Sequence, residues 1–294
     1  MLRSPLIGRQ GILLVALLGG FGARGAQCAD KPSPAAQLTD PIPIDSDDEQ
    51  ATDAAPPLKI AASSASAEHP LAPALQIAQR SLTDLSRIAD YDATLLKRER
   101  VDGRLIEETI HLKLREKPFS VYLKYGEPSP GKEALFVQGQ PDGKLWIHQA
   151  AGLTSLVGTV ALDPDSPQAL QETRYPITKL GMRNMLQAVI DQWTLESRYG
   201  EIDVKFYPQA KLRGQSCEVI ESTHPRPRRQ FRFQKTRLYL DSETRLPVRV
   251  EQYGFPPSPG DEPPLEELYE YGNLRTNIGL TDKDFDRANP NYAF

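Results

Sequence analysis

Four arginines, Arg226, Arg228, Arg229 and Arg232, form a dense run of positive charge. Pro225 and Pro227 fix φ around the first of them and keep that stretch extended. Arginines held this way can grip a lipid head group or an acidic partner. The same pattern also describes a solvated loop and strand face, and the residues alone leave both readings open.

Catalytic chemistry finds less support. Gly214-Gln215-Ser216-Cys217 lacks the second glycine of a nucleophile elbow. The carboxylate pairs Glu107/Glu108 and Glu266/Glu267 fall on predicted strands. Neighbours there point to opposite faces, so the pairs cannot act together and are expected to be solvated. Arg98, Glu99 and Arg100 are expected to face outward or to pair across strands. His69, His111, His148 and His224 lie far apart, and no Cys or His pair has metal-ligand spacing. No glycine loop suits a phosphate. The sequence therefore assigns no catalytic residue, no metal and no cofactor, and the expectation is a non-catalytic protein.

The elements that would position a site are mostly strands. Period-2 alternation runs from Tyr91 to Asn273. Tyr91–Val101 and Leu105–Glu116 flank Asp102-Gly103, a strong two-residue hairpin signal. Further strands are expected at Phe119–Tyr125, Ala134–Val137, Leu145–His148, Leu153–Val157, Ile202–Tyr207, Glu218–Thr223, Gln230–Leu240, Leu246–Tyr253 and Leu265–Leu274. Two helices interrupt or precede them. Leu75, Ala78, Leu82, Leu85 and Ala89 share one face of a helix over Pro73–Ala89. Met182, Met185, Leu186, Val189, Ile190 and Trp193 define a second over Ile177–Trp193, with Thr178 as its expected cap. Ser166 before Pro167 reads as the cap of a short helix, and Thr281 with Asp284 as the capping box of a closing turn. Asn289-Pro290-Asn291-Tyr292 is expected at the surface.

The expected fold is mainly β (α+β): a curved antiparallel sheet, or unclosed β-barrel, wrapped around a central helix, with an N-terminal helix beside it. Alternation assigns Leu112, Leu114, Val121, Leu123, Phe231 and Phe233 to the inner face, with Met182 and Met185 from the helix. Together they make a candidate apolar lining for a lipid or acylated ligand, with Arg226, Arg228, Arg229 and Arg232 as candidate contacts to a head group or partner. A filled core serving an envelope protein partner is the alternative.

Residues 1–26 carry Arg3 and Arg9 ahead of an apolar stretch, Gly11–Phe21, and then small residues, as an export signal does. The stretch falls short of the roughly 20 residues of a membrane span. The expected location is periplasmic, with a tether through an uncleaved signal or a lipidated Cys28 as the alternative. Residues 27–72 are rich in Pro, Ala, Ser and Asp and read as a disordered linker, leaving 73–294 as the folded domain. Gln27 to Pro70 holds eight acidic and two basic side chains, which accounts for most of the acidity behind the net charge of −4. The near-neutral remainder does not suit nucleic acid, which asks for a basic face. A membrane surface stays open as a contact, and a monomer is expected. Cys217 is read as a small buried apolar residue.

Several segments taken together carry a resemblance. They are Asp102-Gly103, Pro118-Phe119-Ser120-Val121-Tyr122, Asp142-Gly143-Lys144, Leu162-Asp163-Pro164-Asp165-Ser166-Pro167, Arg174-Tyr175-Pro176-Ile177-Thr178, Leu246-Pro247-Val248-Arg249-Val250 and Asn289-Pro290-Asn291-Tyr292. From Leu75 to Phe294 the chain resembles an uncharacterised bacterial envelope family, number 1571 among the domains of unknown function. More loosely it is similar to the periplasmic lipoprotein carriers and acceptors of the LolA and LolB type. That resemblance implies an unclosed β-barrel whose concave face, lidded by helices, holds acyl chains. No residue here is assigned to the carriers' arginine latch.

Overall fold

The computed structural model describes residues 68–140, 142–149 and 158–294. The expected signal, Cys28, nearly all of the expected linker and the expected strand Leu153–Val157 lie outside these residues. In chain order the elements are α1 (Ala72–Leu85), β1 (Asp90–Val101), β2 (Arg104–Glu116), β3 (Phe119–Tyr125), β4 (Glu133–Val137), β5 (Leu145–His148) and β6 (Thr159–Leu162). Then come α2 (Met182–Glu196), β7 (Asp203–Leu212), β8 (Gln215–Thr223), β9 (Lys235–Asp241), β10 (Pro247–Tyr253) and β11 (Leu265–Thr276).

Among the described residues the strands form one antiparallel sheet, in the order β6-β5-β4-β3-β2-β1-β11-β10-β9-β8-β7. The edge strands β6 and β7 do not pair with each other, so the sheet is open. This is the expected fold class. Asp102 and Gly103 both have positive φ and close the β1–β2 hairpin, in which Val101 faces Arg104. Mirror-image turns of this kind match the strand twist, which is why Asp-Gly makes them.

Register fixes which residues face inward. Tyr91, Ala93, Leu95, Lys97 and Glu99 of β1 sit opposite Leu114, Leu112, Ile110, Glu108 and Ile106 of β2. Carried across the sheet, the same face takes Val121, Leu123 and Tyr125 from β3, and Tyr271, Tyr269 and Glu267 from β11. The main core lies on this face beneath the helices. It includes Leu71, Ala74, Ala78 and Leu85 of α1 and its entry, and Met182, Leu186, Val189, Ile190 and Trp193 of α2. On the other face Tyr122, Leu135 and Phe285 form a smaller cluster with the C-terminal segment. Tyr292 there stacks on Tyr122 at 3.8 Å between ring centres, so the surface segment 289–292, with Pro290 and Asn291 exposed, is anchored to the sheet. Among the described residues no helix is long and apolar enough to cross a membrane.

Several boundaries differ from the sequence reading; α1, for one, ends at Leu85 rather than at Ala89. The segment before α2 forms a short 3-10 turn at Ile177–Lys179, then an extended Leu180 and Gly181, so α2 starts at Met182 and Thr178 does not cap it. The strands at 202–207 and 218–223 extend into one hairpin closed by Arg213-Gly214, because Pro208 sits at an irregularity between Tyr207 and Ala210 that the ladder tolerates. β9 begins at Lys235, and Phe231 and Phe233 belong to the connection ahead of it. Thr159–Leu162 forms an edge strand that the sequence reading did not mark. The box of Thr281 and Asp284 forms as expected; Ser166 receives the Ala169 N–H at 3.3 Å, but turns rather than the expected short helix follow it.

The start of α2 is bonded to the sheet. No side chain of its own caps it. The Met182 N–H instead donates to the Tyr91 hydroxyl at 3.0 Å, and Gly181 gives a backbone hydrogen bond to Tyr271. Gly181 has φ 108° and ψ 155°, a region essentially restricted to glycine. A Cβ there would lie 2.7 Å from Leu114 Cδ1 and 3.1 Å from the Tyr91 hydroxyl. Tyr91→Phe should therefore cost about 1–3 kcal/mol by stranding a buried N–H. Gly181→Ala should cost more than Tyr91→Phe, because backbone strain and a clash add together. Urea unfolding of the two variants checks both the size and the order.

Candidate ligand cleft

α2 covers part of the inner face and leaves the rest open. Between the helix and strands β2 to β6 lies a cleft of about 940 Å³. Its sheet wall is largely apolar, with Ile110, Leu123, Ala134, Leu145, Ile147, Val160 and Leu162. Its helix wall is mixed, with Asn184, Met185, Ala188, Val189, Gln192 and Leu195. Leu195 is 42% exposed, unusual for a leucine beside a core this well filled.

The candidate lining separates into two groups. Leu123, Met185 and Phe233 line the cleft, as does Arg232 of the arginine run. Leu112, Leu114, Val121 and Met182 are fully buried in the core beneath the helices and do not line it. Phe231 is buried against His224, 3.6 Å between ring centres. Arg226 and Arg228 pair with Glu201 at 4.0 and 2.7 Å, and together with Arg229 they lie outside the cleft.

The far end of the inner face is polar, and here the sequence reading needs correction. Glu108 and Glu267 are buried, not solvated, and Glu99 is only 1% exposed. The alternation argument was sound: Glu107 and Glu266 do face away from Glu108 and Glu267. It gave no reason to expect the inward member of each pair to be buried and partnered. Lys97 holds Glu108 at 2.6 Å and Glu99 at 3.5 Å. Glu99 also accepts from the Thr173 hydroxyl at 3.0 Å, from the Arg174 N–H at 3.0 Å and from the Tyr269 hydroxyl. Register sets Glu99 directly opposite Glu267, a like-charge pair that would repel. Arg174 at 3.1 Å, Arg232 at 3.1 Å and the Tyr175 hydroxyl at 2.7 Å answer Glu267. The segment Thr173–Tyr175 is thus tied across the sheet by carboxylates that strand alternation carries inward.

The electrostatics follow from burial and partners. Burial alone would lower the Lys97 pKa, but Glu99 and Glu108 outweigh it and hold the ammonium well above its usual range. Burial raises the Glu267 carboxyl above the usual carboxylate value despite Tyr175, Arg232 and Arg174. Burial and the neighbouring Glu267 push the Tyr175 phenol up. A second network lies at the C-terminal end of α2. There the Gln192 amide donates to Glu196 at 3.0 Å and to Thr236 at 3.1 Å, and accepts from Gln252 at 2.7 Å.

Sequence reasoning missed Lys97, Glu99, Glu108, Thr173, Arg174, Tyr175, Glu196 and Glu267. The inward parity of Tyr91, Ala93 and Leu95, continued two and four residues further, would have reached Lys97 and Glu99. Nothing local marks the 173–175 segment. Among the described residues no group of three or more His, Cys, Asp or Glu is placed to hold a metal ion.

A family model described as "Protein of unknown function (DUF1571)" matches residues 88–294. No curated protein matches the chain in sequence. Similar solved structures include a Mycobacterium tuberculosis lipoprotein, LppX, at 13% identity, covering 73% of this chain and 100% of that one with a TM-score of 0.41. A DUF1329 family protein from Desulfovibrio piger matches at 14% identity over 74% of this chain and 98% of that one, TM-score 0.37. A putative outer membrane lipoprotein-sorting protein domain from Vibrio parahaemolyticus matches at 14% identity over 72% and 95%, TM-score 0.34.

Lys97, Glu99 and Glu108 act as one charge cluster. Lys97→Met leaves Glu99 and Glu108 buried without their cation and should cost about 3–5 kcal/mol. Adding Glu99→Gln and Glu108→Gln to that variant should restore at least half the loss, since no uncompensated charge then remains. Equilibrium unfolding of the single and triple variants measures this, and a triple variant less stable than the single one contradicts it.

Proposed function

This chain belongs to the DUF1571 family, and from that premise we propose that it is a non-catalytic binder of a lipid or acylated ligand in the cell envelope. The cleft carries the proposal. Its 940 Å³ lies within the roughly 300–1,000 Å³ of small-molecule sites. A folded protein that needed only a core would close such a space, because interiors pack without large voids. The apolar wall from Ile110 to Leu162 suits an alkyl chain, each buried methylene contributing about 0.8 kcal/mol. The polar end suits a head group. Export to the periplasm, read from the Arg3 to Ala26 pattern, is part of the same proposal, as is a folded domain at 73–294.

The candidate lining is accordingly Leu123, Met185 and Phe233, together with Ile110, Ile147 and Ala188. Leu112, Leu114, Val121 and Met182 act one layer back, fixing the sheet against α2. Of the arginine run, Arg232 is the member that lines the cleft. The alternative reading, an interaction module with a filled core, loses ground to a cleft of this size.

Native mass spectrometry of the protein purified from a bacterial periplasm, with lipid extraction alongside, tests the proposal. The expected result is an acyl species at fixed stoichiometry. A clean mass that added long-chain amphiphile leaves unchanged would overturn the reading. Ala188 is exposed and lines the cleft, so Ala188→Trp should put an indole into the space and obstruct it without touching the core. It should weaken amphiphile binding at least tenfold, about 1.4 kcal/mol, while leaving the melting temperature within a few degrees.

A further inference from the structure

The proposed function leaves the head group open, and the cleft wall carries an observation that narrows it. Glu196 ends α2, is 1% exposed and lines the cleft. One carboxylate oxygen, Oε1, receives the Gln192 amide at 3.0 Å and has His224 Nε2 at 3.3 Å. The other, Oε2, is buried with no hydrogen-bond donor. Buried carboxylate oxygens without donors are rare in folded proteins, because each has given up its water for nothing. Its neighbours cannot supply one. Both Gln192 amide protons are committed, to Glu196 Oε1 and to Thr236. His224 Nδ1 lies 2.9 Å from the Glu201 carbonyl, which leaves only its Nε2 end toward Glu196.

The charges around the cleft point the same way. Six carboxylates and four cations line it among the described residues. Three of those cations are already held: Lys97 by Glu108, Lys132 by Glu172 at 2.9 Å and Arg232 by Glu267. An anionic head group entering here would meet those six carboxylates, and of the four lining cations only Lys179 stands outside an ion pair among the described residues. A cationic head group would find an unspent acceptor at Glu196, which lines the cleft, once a turn of the carboxylate brings its buried Oε2 to the cleft surface. Both an ammonium and a hydroxyl can donate to Oε2, but only the ammonium adds an opposite charge to the hydrogen bond, so it gains more there.

We propose that the cleft selects amphiphiles bearing a primary ammonium head group, with Glu196 Oε2 as the acceptor. The Gln192, Thr236 and Gln252 network holds the Glu196 carboxylate in place for that contact. This rests on the cleft reading above and adds the ligand class to it.

Binding of three twelve-carbon probes to the purified full-length protein, each below its micelle concentration, tests the idea by calorimetry. The probes are dodecylammonium, dodecanol and laurate. The expected order is ammonium first, tighter than laurate by about tenfold or more, with dodecanol between them. Glu196→Gln keeps the shape and removes the charge, and should bring dodecylammonium down to the level of dodecanol while dodecanol itself is unchanged. Laurate or dodecanol binding as tightly as the amine overturns the inference and leaves the cleft reading standing. So does an amine advantage that survives in Glu196→Gln. Failure of all three probes to bind overturns the cleft reading and this inference together. If the variant does not fold, the ranking on the unaltered protein still decides.

Discussion

The period of two along β1 governs this molecule. β1 is the strand from which both halves of the sheet extend, with β2 on one side and β11 on the other. Its inward residues run Tyr91, Ala93, Leu95, Lys97 and Glu99, apolar at one end and charged at the other. A shift of one residue would turn all five outward. Because the neighbouring strands are locked to β1 in register, the division spreads across the sheet, to Leu112 and Leu114 at one end and to Glu108 and Glu267 at the other. The helices pack where that face is apolar. Where it is charged, loop residues 173–175 supply the partners. α2 spans about 22 Å along its axis for its 15 residues and is anchored at Gly181 and Met182 by sheet tyrosines. From that fixed start it cannot settle over β4 to β6 as well, and the cleft is the space it leaves.

What the sequence could disclose follows from how local each cause is. The Asp102-Gly103 turn, the strand alternation, the Thr281 box and the apolar stripe of α2 depend on near neighbours, and each is legible. The beginning of α2 is not, because the Tyr91 and Tyr271 hydroxyls that satisfy its first N–H groups lie far off in sequence. The hairpin at Arg213-Gly214 was hidden by Pro208, whose missing N–H argues for a break unless the local irregularity is known. Candidate site residues divide by the same logic. Strand parity puts Leu112 and Leu123 on one face but cannot say that α2 covers the first and leaves the second beside open space.

The buried charges are the least legible part, and they are also the least economical for stability. Lys97 with Glu99 and Glu108 takes three ions out of water, and well-packed apolar residues of similar size are often as stable or more so. The structure meets the cost with Thr173, Arg174 and Tyr269 as extra donors to Glu99. Such donors fix geometry more than they add stability. With them, the segment that borders the cleft is held by directional bonds to β1 and β11 rather than by apolar packing alone.

That difference bears on how the cleft stays open. An apolar cavity of this size would tend to collapse, since its walls gain by closing. Here the helix wall carries Asn184, Gln192 and Asp191, and the far end carries Glu99, Glu196 and Glu267. Moving α2 down onto Leu123, Ala134 and Ile147 would bury its polar side chains against hydrocarbon and break the Gln192, Thr236 and Gln252 bonds. The Asn184 amide, which donates to the Leu180 carbonyl at 3.0 Å, and the Tyr91 and Tyr271 contacts resist the same motion from the other end. The polar residues along the cleft therefore keep the apolar wall exposed, and an occupant that brings its own hydrocarbon can cover that wall without disturbing them.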